Sequence, residues 1–368
     1  MEQDHIRVII SGGGTGGHVY PAIAIANEIK KQLPNAVIQF VGAQGKMEME
    51  KVPKAGYPIE GLWISGFQRR LTLKNLIFPF KLLHSWWKAW GIIRGFKPDV
   101  AIGVGGYASY PTLSVASWMG IPTMIQEQNS YAGISNKMLK GSVEKICVAY
   151  EAMQSFFPKE KIVYTGNPVR SDIWEMDDLR KEALLHFGLK DKKTILVFGG
   201  SLGAKTLNEG MAKNVDLLKA ADGIQVIWQA GKFYHAAYKK TDTAKLENVC
   251  QLEFIDRMDL AYAAADLVIC RAGALTISEL CLVGKAAIFI PSPNVTGDHQ
   301  TKNAMALIRN NAAKMLKDED GHLMIKMAID ILEDEGNSKK KLETNIRRMA
   351  KPNAAQEIVK TLRAIAKK

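Results

Sequence analysis

Along this chain, short unbroken apolar runs alternate with longer stretches in which apolar residues return every three or four positions. The runs Val8–Ile10, Val37–Val41, Val100–Val104, Thr123–Ile125 and Lys145–Val148 are separated by such helix-period stretches. Runs this short and apolar fit strands buried on both faces, and strands separated by helices build a parallel sheet with helices on its two sides. From Thr194 the series starts again: TILVF leads into Gly199, and strand-like segments follow at Ile224–Trp228, Gln251–Phe254, Leu267–Cys270 and Ala287–Ile290. The pattern predicts an α/β chain of two doubly wound units in tandem, joined near Thr165-Gly166-Asn167-Pro168. Ligands of such sheets bind beyond the carboxyl ends of the strands, so loops of both units are expected to face one cleft. The expected domains are 1–165 and 166–346, followed by a terminal element, 347–368. In that element Ala355, Ile358, Val359, Leu362 and Ile365 share one helical face, which must pack on something.

Length agrees, since 368 residues exceed the span over which one core keeps growing. With 47% hydrophobic and 23% charged residues the chain can bury two cores, and long disorder is not expected. The first apolar run follows acids and leads directly into glycines, which marks a strand and not a signal peptide. Cys147, Cys250, Cys270 and Cys281 show no C-x-x-C spacing and read as free thiols of a cytoplasmic protein. No metal site is expected: Asp298-His299 lacks a third ligand at suitable spacing.

Charge changes the picture. A net +12 calls for an anionic partner, whether nucleic acid, an acidic membrane surface or a phosphorylated ligand. Between Gly61 and Pro98 stand the seven bases Arg69, Arg70, Lys74, Lys81, Lys88, Arg94 and Lys97, with no acid, interleaved with Trp86, Trp87, Trp90 and many aliphatic residues. Lys81, His84 and Lys88 fall on one helical face and Leu82, Trp86, Trp90 and Ile93 on another. Such a helix either covers a core and solvates its basic side, or lies in a membrane interface.

The chemistry concentrates in glycine-rich turns after strands. In Ser11–Pro21, SGGGTGGHVYP, the spacing Gly12, Gly14, Gly17 satisfies G-x-G-x-x-G at a strand-to-helix junction, where backbone N–H groups and a helix N-terminus attract an anion. A dinucleotide fold also needs an acid for the ribose after its second strand, but Val41 runs into Gly42, Ala43 and Gln44. The loop therefore suits a phosphate-bearing ligand other than NAD. His18, at a helix N-terminus that would keep it neutral, is either a base or a histidine bonded to the turn. Gly105-Gly106-Tyr107 and Gly199-Gly200-Ser201-Leu202-Gly203-Ala204 repeat the turn. Arg170 offers a fork for a diphosphate or is a surface arginine. Glu279, behind Arg271-Ala272-Gly273-Ala274-Leu275-Thr276, can accept ribose hydroxyls or favour a helix dipole.

Taken together, GGGTGGHVYPA, GVGGYASYP, QEQNSYAG, TGNPVR, GGSLGA, FIDRM, RAGALTISE and DHQTKNA, in this order over most of Ser11 to Asn303, resemble the MurG family of bacterial N-acetylglucosaminyltransferases. The resemblance implies two Rossmann-like domains facing a cleft (the GT-B fold) and inverting transfer of N-acetylglucosamine from UDP-GlcNAc to the C4 hydroxyl of the muramoyl sugar of lipid I. The product would be lipid II, for peptidoglycan synthesis, made without a cofactor. It also implies that Arg170, Ser201, Gly203, Ala274, Leu275 and Thr276 meet the donor diphosphate, Ile255 the uracil, Glu279 the ribose, and Gln300 and Asn303 the sugar hydroxyls. Thr15, Gly16, Gly17 and Asn129 are assigned to the donor as well. Gly13, Gly14, Thr15, Gly16, Gly17, Gly105 and Gly106 would receive the acceptor's diphosphate, and His18, Glu127 and Tyr107 would stand at the reaction. Gln126 departs from the family, which often has His there. The final helix would cross back onto the first domain.

Because that acceptor hangs from a polyprenyl chain in the inner leaflet, the resemblance favours the membrane reading for Lys74, Ile77, Phe80, Lys81, Trp86, Trp87 and Trp90, joined by Trp118 and Lys140. Bases beside tryptophans dock a peripheral protein on an anionic surface, here the cytoplasmic face of the inner membrane. Proteins of cell-wall synthesis and division are further expected partners, and nucleic acid is not. A UDP-GlcNAc 2-epimerase or a natural-product glycosyltransferase shares the architecture without the basic aromatic stretch. An NAD-linked oxidoreductase is opposed by the missing ribose acid, and a nucleic-acid-binding module would show salt-dependent DNA binding.

Overall fold

The computed structural model describes residues 5–66, 77–169 and 179–366; Lys74 and Arg170, two of the expected site residues, lie outside them. The chain divides into two compact units, Met1–Val169 with Asn353–Lys368, and Arg170–Pro352.

Unit 1 holds a parallel sheet of seven strands: β1 Arg7–Ser11, β2 Val37–Ala43, β3 Ile59–Leu62, β4 Val100–Gly103, β5 Thr123–Glu127, β6 Lys145–Val148 and β7 Ile162–Tyr164, in the order β3-β2-β1-β4-β5-β6-β7. Unit 2 holds six: β8 Lys193–Phe198, β9 Ile224–Gln229, β10 Val249–Leu252, β11 Leu267–Cys270, β12 Ala286–Phe289 and β13 Lys314–Met315, in the order β10-β9-β8-β11-β12-β13. The helices used below are α1 Gly16–Gln32, α2 Glu48–Lys54, α3 Phe78–Phe96, α4 Ser109–Trp118, α5 Ile134–Leu139, α6 Lys205–Lys213, α7 Ala274–Val283, α8 His299–Ile308 and α9 Ala354–Ile365.

Strand order reverses direction between β1 and β4 in the first sheet and between β8 and β11 in the second. At such a switch point the connections leave to opposite faces, and a crevice opens beyond the carboxyl ends. Ser11, the last residue of β1, is level with Val41 on one side and Gly103 on the other, so the glycine turns after β1 and β4 start side by side. Gly199 follows β8 in the equivalent place, beside the turn after β11.

The apolar runs are buried as their pattern requires. Val8, Ile10, Val100 and Ile102 point into a core closed by Ala22, Ile25, Ala26 and Ile29 of α1 and by Ile358, Val359 and Leu362 of α9. Helix α9, last in the chain, thus completes the core of unit 1, with Ala354 buried where the pattern placed Ala355. Ile9 and Ala101 face the opposite way, onto Ala89 and Ile93 of α3 and Val115 and Ala116 of α4. The strand expected at Gln251–Phe254 forms instead at Val249–Leu252. The pattern did not announce β3, β7 or β13, each of two to four residues and at or beside a sheet edge. All four cysteines are free, and burial pushes the thiols of Cys147 and Cys281 up to about 12.

Cutting back Ile358 tests whether α9 belongs to this core. Ile358→Ala is expected to cost about 2–5 kcal/mol, because a fully buried side chain leaves a cavity that its neighbours fill only in part. Denaturant unfolding followed by tryptophan fluorescence measures it; a loss below ~1 kcal/mol would mean that α9 detaches without cost.

Candidate functional site

In unit 1 the chain leaves β1 through Gly12, Gly13, Gly14 and Thr15, and leaves β4 through Val104, Gly105, Gly106 and Tyr107. These two turns lie backbone against backbone. The Gly13 N–H donates to the Gly105 carbonyl at 3.3 Å, and the Ser109 hydroxyl, shared between the Ser11 and Gly105 carbonyls (2.7 and 2.9 Å), ties the strand ends together. Gly106 has φ +89°, and a Cβ there would collide with the Gly13 backbone.

Thr15 begins α1 with extended backbone (φ −146°, ψ 160°) and makes no side-chain cap bond. The first-turn N–H groups of Gly16 and Gly17 have no carbonyl of their own helix to meet, and no acid sits in that turn, so the helix start suits an anion. His18 follows, half-buried, its Nδ1 3.0 Å from the Gly13 carbonyl and 3.4 Å from the Thr15 hydroxyl. A carbonyl only accepts, so Nδ1 carries the proton in this bond and Nε2 keeps its lone pair. That nitrogen borders Gly105: a Cβ on Gly105 would come 2.9 Å from it. Burial lowers the His18 pKa below the ordinary 6.5, while the charge of Glu127, the Gly13 carbonyl and the charge of Glu48 pull the other way.

Glu127, at the end of β5, is buried, and its carboxylate accepts four bonds. Oε1 takes the Asn129 N–H (3.0 Å) and side-chain amide (3.3 Å), and Oε2 the Gly133 N–H and the Asn136 amide (both 2.8 Å). With its lone pairs so engaged, it shapes the loop from Asn129 to α5. Gln126 is buried too, donating to Asn167 (2.9 Å) and accepting from Gln128 (2.5 Å), which accounts structurally for an amide at this position. Tyr107 is exposed beside Gly66.

Two residues of this site, Glu48 and Asn136, escaped the sequence reading, which held Gln128 only as part of the QEQN run. Glu48 opens α2, is buried, and accepts the N–H groups of Gly14 (2.9 Å) and Ala43 (3.0 Å). Its only sequence signal was that of an acid in a helix first turn. Gln128 donates to the Val104 carbonyl (2.9 Å), and Asn136 holds Glu127; buried amides carry no pattern that sets them apart from surface ones.

In unit 2 the turn after β8 gives up its carbonyls to its neighbours and leaves its hydroxyl exposed. The Lys232 and Phe233 N–H groups donate to Ser201 (3.1 Å) and Leu202 (3.2 Å), and the Gln229 amide to Gly200 (3.1 Å). Asn208 on α6, also unforeseen, bridges the Trp228 indole (2.8 Å) to the Ala230 carbonyl (2.9 Å). The turn ends at Gly203 and Ala204, where α6 begins. After β11, Gly273 precedes α7 with Ala274, Leu275 and Thr276 in a first turn that has no acid. Glu279 accepts the Tyr262 hydroxyl at 2.9 Å. Arg271 is turned away into a bond with Asp318 (2.5 Å) and the Ile290 carbonyl (2.9 Å). Ile255 is buried, Gln300 accepts the Ser292 N–H (2.8 Å), and Asn303 is buried in α8. Two helix N-termini and one exposed hydroxyl thus flank the switch point of the second sheet. Among the described residues no group of three or more His, Cys, Asp or Glu is placed to hold a metal ion.

On α3 the apolar residues divide. Leu82, Trp86 and Ile93 pack inward, with Trp86 against Trp118 (5.4 Å between rings) and Tyr110, so Trp86 is in part a core residue. Phe80, Leu83, Trp87 and Trp90 stand in a stripe on the outside, Phe80 68% and Trp87 72% exposed. Ile77, Trp118 and Lys140 are exposed as well. Lys81 bonds the Ser65 hydroxyl (3.0 Å), and Lys88 bonds the Gly61 carbonyl (2.8 Å) and pairs with Glu60 (3.4 Å). No described helix is long and apolar enough to cross a membrane.

Residues 8–148 match the glycosyltransferase family 28 N-terminal domain and residues 194–362 the family's C-terminal domain. A Flavobacterium psychrophilum protein named UDP-N-acetylglucosamine–N-acetylmuramyl-(pentapeptide) pyrophosphoryl-undecaprenol N-acetylglucosamine transferase is 54% identical over 360 residues, 98% of this chain and 97% of its own. The crystal structure of Acinetobacter baumannii MurG superposes with a TM-score of 0.75 at 30% identity, over 98% of this chain and 99% of that one. A UDP-GlcNAc 2-epimerase from Neisseria meningitidis, solved with UDP-GlcNAc, shares the fold at 15% identity (TM-score 0.66; 97% of this chain and 99% of that one).

The His18 ring is expected to titrate below 6.5 by NMR, since desolvation outweighs the nearby carboxylates. The unfolded chain then binds the proton first, so His18 lowers stability as pH falls through 6.5 toward the folded value and has no effect well above 6.5. A midpoint at or above 6.5 would mean that Glu127 and Glu48 prevail.

Proposed function

This chain belongs to glycosyltransferase family 28, and we infer from that membership that it transfers N-acetylglucosamine from UDP-GlcNAc to the C4 hydroxyl of the muramoyl sugar of undecaprenyl-pyrophosphoryl-MurNAc-pentapeptide. The product is lipid II, the peptidoglycan precursor. The observation that carries this reading is near full-length identity of 54% with a transferase of that name. An epimerase shares only the fold, at 15% identity, and gives no comparable support.

The acceptor's diphosphate binds at the turns Gly13–Gly17 and Gly105–Gly106, on the free N–H groups that start α1. The donor's diphosphate binds at Ser201 and at the starts of α6 and α7, with Gly203, Ala274, Leu275 and Thr276, and with Arg170 from outside the described residues. Glu279 takes the ribose, Ile255 the uracil, and Gln300 and Asn303 the sugar. His18 Nε2, holding the lone pair, takes the proton of the C4 hydroxyl; the oxygen attacks the anomeric carbon, and the carbon–oxygen bond to UDP breaks. The electron pair leaves with the UDP phosphate, so the anomeric configuration inverts. Helix N-termini fixed before the reaction stabilise that growing charge. Glu127, with four bonds already accepted, positions Asn129, and Tyr107 lines the acceptor side.

The exposed stripe Phe80, Leu83, Trp87, Trp90, with Ile77, Trp118 and Lys140, rests on the anionic cytoplasmic face of the inner membrane, where the lipid acceptor is found. Aromatic rings enter the interface and each nearby base adds about 1 kcal/mol. Proteins of cell-wall synthesis and division meet the enzyme at that surface.

Supplied with UDP-GlcNAc and a lipid I analogue, the chain is expected to yield the disaccharide lipid and UDP; UDP-GlcNAc epimerised or untouched would sink the reading. His18→Ala should lower kcat by on the order of 10² to 10⁴, the usual value of a general base, and near-normal kcat with saturating acceptor would exclude His18. In vesicle sedimentation, a Phe80→Glu/Trp87→Glu double variant should lose binding to vesicles containing anionic lipid and keep turnover of a soluble acceptor analogue. Undiminished binding would move the membrane face elsewhere.

A further inference from the structure

Glu48 is a carboxylate that the transfer reaction as described above does not use. It is 1% exposed, and among the described residues no lysine, arginine or histidine pairs with it. Instead it is clamped by two backbone N–H groups, Ala43 on Oε1 at the end of β2 and Gly14 on Oε2 in the turn before α1. Two glycines make room for it: a Cβ at Gly13 would collide with the carboxylate, and one at Gly42 would come 2.6 Å from its Cγ.

The Gly14 N–H belongs to the same peptide group as the Gly13 carbonyl, and that carbonyl is the partner of His18 Nδ1 at 3.0 Å. A peptide is planar and its N–H and C=O point in opposite directions. A carboxylate on the N–H side and an imidazole N–H on the carbonyl side therefore polarise it in the same sense, each bond strengthening the other. The chain runs Glu48 Oε2, Gly14 N–H, Gly13 C=O, His18 Nδ1–H.

We propose that Glu48 is a positioning residue for proton transfer to His18, acting through the Gly13–Gly14 peptide group between them. It fixes the plane of that peptide, and so fixes the acceptor that holds the His18 proton on Nδ1 and leaves Nε2 open. When the acceptor hydroxyl gives its proton to Nε2, the ring becomes imidazolium and Nδ1 keeps its own proton. No proton passes along the chain; the Gly13 carbonyl, polarised by Glu48, faces the new charge. The ionisable groups whose charges reach His18 are Glu127, at the end of β5, and Glu48, at the start of α2. The proposal rests on His18 being the base.

The test uses the full chain with 15N-labelled histidine. Without substrates, the neutral His18 ring is expected to carry its proton on Nδ1, and Glu48→Gln, which removes the charge and one acceptor, is expected to mix the two tautomers. In turnover, Glu48→Gln should lower kcat by roughly 10- to 100-fold, as loss of an outer partner that orients an imidazole does. It should also move the acid limb of the kcat profile to lower pH, with the KM for UDP-GlcNAc unchanged. Should Glu48→Gln not fold, Glu48→Asp, which keeps the charge but withdraws the oxygens by one methylene, is read by the tautomer mixture and the fall in kcat, with the acid limb staying near its wild-type place. A wild-type ring protonated on Nε2, or a variant with lower melting temperature but unchanged kcat and acid limb, overturns the proposal. The tautomer is read without turnover, so its failure is distinguishable from failure of His18→Ala to impair transfer.

Discussion

The contact on which the candidate site of unit 1 depends is the one between two backbones, where the turn after β1 lies on the turn after β4. Parallel strands that diverge at a switch point bring two loop starts to the same level, Ser11 beside Gly103, and leave a crevice only if the loops remain slim. Side chains would hold them apart. With glycine at 13, 105 and 106 the backbones meet through the Gly13 N–H and Gly105 carbonyl, and the imidazole of His18 can border Gly105. The Ser109 hydroxyl fixes the strand ends from below, so the arrangement is held before any ligand arrives.

Buried carboxylates then give this crevice its shape. Glu48 and Glu127 are both taken out of water without a cation beside them among the described residues, and both are satisfied by N–H groups of the loops around them. The cost of burying such a group is met only when its acceptor sites are filled, so each carboxylate dictates where a loop must run. Unit 2 reaches a similar end by another route: there backbone N–H groups and the Gln229 amide bond the loop carbonyls, and α6 and α7 start without a side-chain cap bond. One turn is organised around buried anions, the other around carbonyls, and both leave helix starts ready for phosphate.

The architecture was legible because parallel strands buried on both faces write themselves as continuous apolar runs, and because a glycine turn after a strand has few other meanings. What escaped were β3, β7 and β13, four residues or fewer and at or next to a sheet edge, where half the environment is solvent and the pattern fades. In the site, His18 and the glycine turns were visible because their position relative to a strand end is itself the signal. Glu48, Asn136 and Asn208 were not, since nothing local separates a buried acid or amide from a surface one; only the fold brings Glu48 against Gly14, 34 residues away. The sequence reading found no ribose acid directly after Val41; an acid does stand near that place, one turn later, bonded to the loop.

Helix α3 shows why helical period alone could not assign its faces. Leu82, Trp86, Trp90 and Ile93 formed one apolar face by spacing; the core claims Leu82, Trp86 and Ile93 but leaves Trp90 exposed. The stripe Phe80, Leu83, Trp87, Trp90 recurs with the same spacing three and four residues apart and stays exposed, with the Arg94 guanidinium lying over the Trp90 ring (5.0 Å). Lys81 and Lys88, which spacing placed on a solvated basic side, bend back to Ser65, Gly61 and Glu60, so their charges are partly spent on the protein itself. The outward surface of α3 is therefore more aromatic and less basic than its sequence suggests. If this helix meets a lipid surface as proposed, the attraction would depend more on buried ring area than on charge, and ring burial, unlike attraction between exposed charges, is not screened by salt.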